Sequence, residues 1–180
     1  MKTVFQLKAI AGLVVALLIS GASYAQMGGG AKQIPSPRDS VSGKIGAATV
    51  SINYGAPSVR GRKIYGGLQP YGKMWRAGAN PATVFTTDKD IKIEGKTLKA
   101  GKYTFFVTPG EKEFTITFNS QTGQWGIKKN GDANEDPAND VLVATVTPKP
   151  AEFTERLKYV ITPKGFELVW ENLSIPVAIK

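Results

Sequence analysis

Apolar and polar residues alternate in short runs along most of this chain, and glycine and proline bound the runs. From residue 48, Val50, Ile52 and Tyr54 fall on one side and Ser51 and Asn53 on the other, which is the period of a half-buried strand. Residues 82–87 (ATVFTT) are β-branched and aromatic, as strands prefer. Ile91-Lys92-Ile93 leads into a turn at Glu94-Gly95-Lys96-Thr97. The runs KYTFFVT (102–108) and EFTITFN (113–119) flank Pro109-Gly110-Glu111-Lys112, which predicts a hairpin over 102–119. Further strands are expected at 125–129, 141–147, 153–162, 166–170 and 173–179, with Pro163-Lys164-Gly165 as a second hairpin turn. No segment shows a capped helical period. Many short strands separated by turn chemistry predict an all-β fold, an antiparallel β-sandwich or barrel-like domain, over residues 41–180.

The first 25 residues have a different pattern. Lys2 and Lys8 precede an uncharged, mostly apolar run at 9–20, and Ser23-Tyr24-Ala25 follows. A basic start, an apolar stretch of roughly 7–15 residues and small residues at the cleavage positions mark a secretory signal peptide. The run is shorter than the roughly 20 residues of a membrane-spanning helix, so cleavage before Gln26 leaves no transmembrane anchor. Residues 26–40 (QMGGGAKQIPSPRDS) lack an apolar period and read as a flexible leader. The expected location is periplasmic or extracellular.

Composition narrows the chemistry. The chain has 180 residues, no His and no Cys, and a formal net charge of +9. Loss of Lys2 and Lys8 with the leader lowers this to +7, because residues 1–25 carry no acid. Disulfides, thiol nucleophiles, Cys/His zinc sites and His-dependent triads are excluded. Nucleic acid is not an expected partner of an exported chain. An anionic glycan, a lipid headgroup or an envelope protein suits the positive charge better.

The segment richest in candidate chemistry is residues 54–81, YGAPSVRGRKIYGGLQPYGKMWRAGANP. It is long, glycine-dense and not strand-like, and such connections are either functional loops or packed Ω-like scaffolds. Arg60, Arg62, Lys63, Lys73 and Arg76 form a candidate anion cradle, since guanidinium groups fork onto carboxylate or phosphate. In the binding reading Arg62 and Arg76 fix the anion, Trp75 is an apolar platform and Asn80 orients polar groups. Arg60 and Lys73 complete the candidate set. Asp132, Asn134 and Asp136 share the spacing of a calcium loop, but Pro137 and Val143 stand where Gly and Glu are needed, so a solvated hairpin loop is expected and no metal. No cofactor motif occurs. A carboxylate-dependent hydrolase acting on glycans, built from acids among Asp88, Asp90, Glu94, Glu152, Glu155 and Glu171, remains an alternative to a binding module. A structural or protein-interaction component of the cell envelope is another.

Several runs together resemble one family. They are Tyr54-Gly55-Ala56-Pro57, Gly61-Arg62-Lys63-Ile64-Tyr65-Gly66-Gly67-Leu68, Pro70-Tyr71-Gly72-Lys73-Met74-Trp75-Arg76-Ala77-Gly78-Ala79-Asn80, Ala100-Gly101-Lys102-Tyr103, Gln124-Trp125-Gly126 and Trp170-Glu171-Asn172. Over roughly residues 35–180 the chain resembles domain of unknown function 2911. The resemblance implies an exported protein of Bacteroidetes-type bacteria and carries no established activity.

Overall fold

The computed structural model describes residues 36–180. The expected signal peptide and most of the expected leader lie outside the described residues. Ten strands run in chain order: β1 (Arg38–Ile45), β2 (Ala48–Gly55), β3 (Val84–Thr87), β4 (Ile91–Ile93), β5 (Lys96–Leu98), β6 (Gly101–Thr108), β7 (Phe114–Asn119), β8 (Asp140–Val146), β9 (Lys149–Thr162) and β10 (Gly165–Ala178). Among the described residues no helix is long and apolar enough to cross a membrane.

Six strands form one antiparallel sheet in the order β1-β2-β3-β6-β7-β8, open at both ends and therefore not a barrel. The long β9–β10 hairpin is the spine of a second layer. On its β10 edge, Lys92 and Lys180 exchange backbone hydrogen bonds at 2.8 and 2.9 Å, which places the β4–β5 hairpin alongside. On its β9 edge, Val59 N–H donates to Glu155 O and Leu157 N–H to Pro57 O, so residues 57–59 add a short outer strand. The two layers meet ring to ring. Phe85 and Phe105 of the first sheet both lie 5.6 Å from Phe166 of β10. An all-β sandwich follows directly from the alternation in strands such as β2, where Ala48, Val50, Ile52 and Tyr54 are buried.

Four features depart from the sequence reading. β1 starts at Arg38, inside the stretch expected as leader, because Arg38, Asp39 and Ser40 pair with Gly55, Tyr54 and Asn53. Lys96 and Thr97, expected within a turn, begin β5, and the turn is only Glu94-Gly95, with φ of 46° and 80°. Residues 125–129 form no strand and make a single bridge, Ile127 to Ala133. The expected break between 170 and 173 is instead a pair of register shifts inside a continuous β10, with Glu171 at φ 56°. At each shift β9 advances four residues while β10 advances two, so the extra residues lie in β9 and the ladder resumes beyond them.

Candidate functional site

Residues 54–81 are built around a close backbone approach. At Gly55 a Cβ would lie 1.9 Å from Ala79 O, and at Gly78 one would lie 2.7 Å from Thr83 Oγ1. Only glycine lets these segments touch. Ala79 N–H then donates to Gly55 O at 3.1 Å. Between them Ala77 is buried at φ 51°, and its carbonyl accepts from Tyr159 OH at 2.7 Å and Thr83 Oγ1 at 2.9 Å. Burial raises the Tyr159 hydroxyl well above the ordinary tyrosine range, so it stays a donor. The run from Trp75 to Asn80 is thus a hydrogen-bonded plug seated on the end of the sandwich.

The candidate residues divide into two groups. Arg62, Trp75 and Arg76 line one cavity of about 350 Å³, together with Leu68, Met74 and Trp170. Arg60, Lys73 and Asn80 do not line it. Arg60, at φ 52°, donates its backbone N–H to Glu155 Oε1 at 3.0 Å. Lys73 lies 4.0 Å from Asp132 on the exposed surface. Asn80 Nδ2 donates to Ser36 O at 2.6 Å, and so ties the plug to the segment preceding β1.

Trp75 is not an open platform. It is only 6% exposed, it exchanges backbone hydrogen bonds with Val107, and its indole N–H donates to Gly78 O at 2.9 Å. Its ring stacks on Trp170 at 5.6 Å and 28°. The two indoles form a floor, and the rim is polar. Arg62 uses Nε and one terminal nitrogen to hold Val59 O and Ser58 O at 2.9 and 2.7 Å. Arg76 donates to Trp125 O at 2.9 Å, and its guanidinium lies 5.4 Å from the centre of the Trp125 ring. Burial lowers the pKa of Arg76 from its ordinary value. Among the described residues the ion pairs are Lys73–Asp132 and Lys99–Asp90, so neither cavity arginine has a carboxylate counter-charge there.

Sequence reasoning missed the contribution of the 124–131 loop. Ile127 and Gly131 line the cavity, and Trp125 lies under Arg76. Gly126 at φ 88° allows this, since a Cβ there would be 2.8 Å from Arg76 Cβ. Nothing local in Gln124-Trp125-Gly126 signals a partner 49 residues away. A larger cavity of about 590 Å³ lies between β8 and β10, but Glu94 and Glu167 offset Lys149 and Lys164 on its walls, so it has no charge preference.

The candidate acids mostly close backbone junctions. Asp88 accepts from Thr49 N–H at 2.6 Å, Asp90 from Ala100 N–H at 2.8 Å, Glu94 from Ala178 N–H at 2.6 Å and Glu171 from Ile64 N–H at 3.2 Å. Hydrogen bonds from Thr49 and from Lys99, respectively, hold Asp88 and Asp90 below the usual carboxylate value. In the 130–140 loop Asp136 caps a short 3₁₀ turn, Pro137–Asn139. Among the described residues no three acidic side chains gather as a metal site.

One acid in this loop stands apart. Partial burial, and then a hydrogen bond with Asp140, push Glu135 up to about 7, while buried Asn119 donates to Asp140 Oδ1 at 2.8 Å. The fold therefore favours the protonated form of Glu135. Its stabilisation is complete below the ordinary glutamate pKa and is lost as pH rises through about 7. Solvent screening holds the effect to about 1 kcal/mol, or roughly 2–4 °C. With no His or Cys in the chain, a melting-temperature series from pH 4.5 to 8.5 should fall as pH rises from the ordinary glutamate value to about 7 and level off above it. Glu135→Gln should flatten the series, and a flat wild-type profile would refute the assignment.

Four of the six motif runs noted in the sequence meet here: Pro57, Arg62, Leu68, Trp75, Arg76 and Trp170 all line one cavity, to which the runs 100–103 and 124–126 contribute no residue. The family model described as Protein of unknown function (DUF2911) matches residues 36–179. The chain belongs to this family. The matched span begins two residues before β1 and reaches the residue after β10, so the DUF2911 domain is the whole described sandwich. No curated protein and no solved structure matches the chain.

Proposed function

We propose that this protein is an exported binding module whose 54–81 loop takes a small anionic ligand. The observation that carries this reading is the pair of guanidinium groups, Arg62 and Arg76, on one cavity with no carboxylate beside either among the described residues. Arg76 is partly buried and Arg62 is exposed, and a guanidinium without a counter-charge favours an oxyanion, which it binds by charge-assisted and bidentate hydrogen bonds. The cavity volume of about 350 Å³ suits a small molecule. The signal-peptide pattern in residues 1–25, with its basic start and apolar run, supports a location outside the cytoplasm, where anionic glycans and headgroups are the abundant partners.

Thermal unfolding of the purified protein against simple oxyanions, sugar phosphates and acidic sugars tests the reading. A ligand at 100 times its Kd stabilises by about 2.7 kcal/mol, a rise of several degrees at this size. The Arg62→Ala/Arg76→Ala double variant should retain its fold and lose that rise. An equal rise in the variant, or no rise with any anion, would overturn the proposal. Arg62 also holds two carbonyls, so Arg76→Gln alone serves as the milder variant.

A further inference from the structure

Charge is spread unevenly over the two ends of the sandwich. Residues 44–49, 86–102, 145–149, 163–167 and 178–180 carry nine lysine side chains, no arginine and four acids. The rest of the described chain has eleven basic and ten acidic side chains, including all five arginines. The fold gathers those lysine-bearing segments. Pro163, in the β9–β10 turn, lines one cavity with Lys44, a second with Lys89 and Lys180, and a third with Lys149 and Lys164. Lys92 adjoins Lys180 in a fourth. β2 starts at this end with Ala48 and finishes at Gly55 against the plug, about 23 Å away at about 3.3 Å per residue.

All nine lysines are exposed. Among the described residues only Lys99 has an ion pair there, with Asp90 at 2.8 Å. The other acids at this end accept from uncharged donors: Asp88 from Thr49 N–H, Glu94 from Ala178 N–H and Glu167 from the Ser174 hydroxyl. Lysine is a hydrated point charge on a flexible stem, whereas arginine forks onto a single carboxylate or phosphate. The lysines stand on several turns and strand ends, and none of the exposed large hydrophobic residues lies among them. Such an array suits many negative charges fixed in a plane better than one bound anion. Anionic lipid is such a plane, and each lysine near its surface adds about fivefold in affinity.

We propose that this lysine-bearing end docks the protein on an anionic lipid surface, with the Arg62–Arg76 cavity at the opposite end facing away from the lipid.

Vesicle cosedimentation of residues 35–180, a compact unit with its own core, tests this without the apolar run at 9–20, which would enter lipid by itself. The protein should pellet with vesicles of seven parts phosphatidylcholine to three parts phosphatidylglycerol. It should stay in solution with phosphatidylcholine alone, and added salt should release it. Lys44→Glu/Lys89→Glu/Lys92→Glu should weaken binding about a hundredfold or more. Lys112→Glu/Lys128→Glu/Lys129→Glu makes the same change in net charge at the other end, where Pro109 O accepts from Gly72 N–H and Ile127 lines the Arg62 cavity. That end lies beyond the Debye length of about 8–10 Å, so this variant should bind as the wild type does. Equal weakening by the two variants, or no binding to the anionic vesicles, would overturn the proposal. Binding to dextran sulfate but not to vesicles would overturn it too, and would make this end a site for a soluble polyanion. Lys89→Gln/Lys92→Gln, with an expected loss of about tenfold or more, decides the question if the triple reversal does not fold.

Discussion

Gly55→Ala should remove most of the folded protein. An added Cβ would lie 1.9 Å from Ala79 O and 2.7 Å from its carbonyl carbon. Both obstacles are backbone, so no rotamer change relieves the clash. Relief needs residues 78–80 to withdraw, which breaks the Ala79 N–H to Gly55 O bond and loosens the buried carbonyl of Ala77 from Tyr159. Overpacking of a rigid contact costs about 1–3 kcal/mol and occasionally more. Backbone against backbone belongs at or above the top of that range, so a fall of about 10 °C or more in melting temperature, or insoluble protein, is expected. Gly46→Ala is the comparison, since its φ of 58° imposes strain but nothing lies within 4 Å of the new Cβ. It should cost about 1–2 kcal/mol. A Gly55→Ala protein that melts within two or three degrees of wild type would show that the plug can shift freely.

Trp75→Ala should have the second largest effect. The substitution deletes a buried ring stacked on Trp170 and the indole bond to Gly78 O, and it opens the cavity floor. Large-to-small changes of this kind cost about 3–5 kcal/mol, because the surroundings collapse only in part. A urea titration should show a lower midpoint with an unchanged slope. Trp125→Ala offers the contrast, because Trp125 is 54% exposed and meets Arg76 from outside. It should cost under about 1 kcal/mol. If the two substitutions cost the same, Trp75 is not a structural anchor. A large loss for Trp75→Ala separates its role from that of Arg76, whose removal should cost binding and leave the fold.

The strands were legible where a single local pattern specified them. β2, β4, β6, β7 and β8 carry an alternation or a continuous apolar run between turn residues, and they occur within a residue or two of expectation. β1 was hidden because its outer residues are polar and exposed, and only pairing with β2 makes Arg38–Ser40 a strand. Strands were expected to stop at Trp170 and restart at Leu173 because the polar pair Glu171-Asn172 interrupts the apolar pattern, whereas β10 runs through and the irregularity is taken up by its partner β9. The difference lies in whether the partner strand continues, and Thr154 opposite Glu171 continues it.

The candidate site divides the same way. The charge and glycine content of residues 54–81 marked them out, because composition needs no fold to be counted. Whether a given arginine faces a cavity depends on contacts far along the chain. Trp125, Ile127 and Trp170 reach the loop from 49 to 95 residues away, and no local pattern encodes that meeting. The aromatic expected as an open platform became the floor, since an indole that can stack on a second indole and donate to Gly78 O loses nothing by burial. Fold class and the absence of thiol and imidazole chemistry were thus readable residue by residue. The convergence of Arg62, Arg76 and Trp170 belongs to the sandwich as a whole, because close packing of two sheets brings distant segments into one wall.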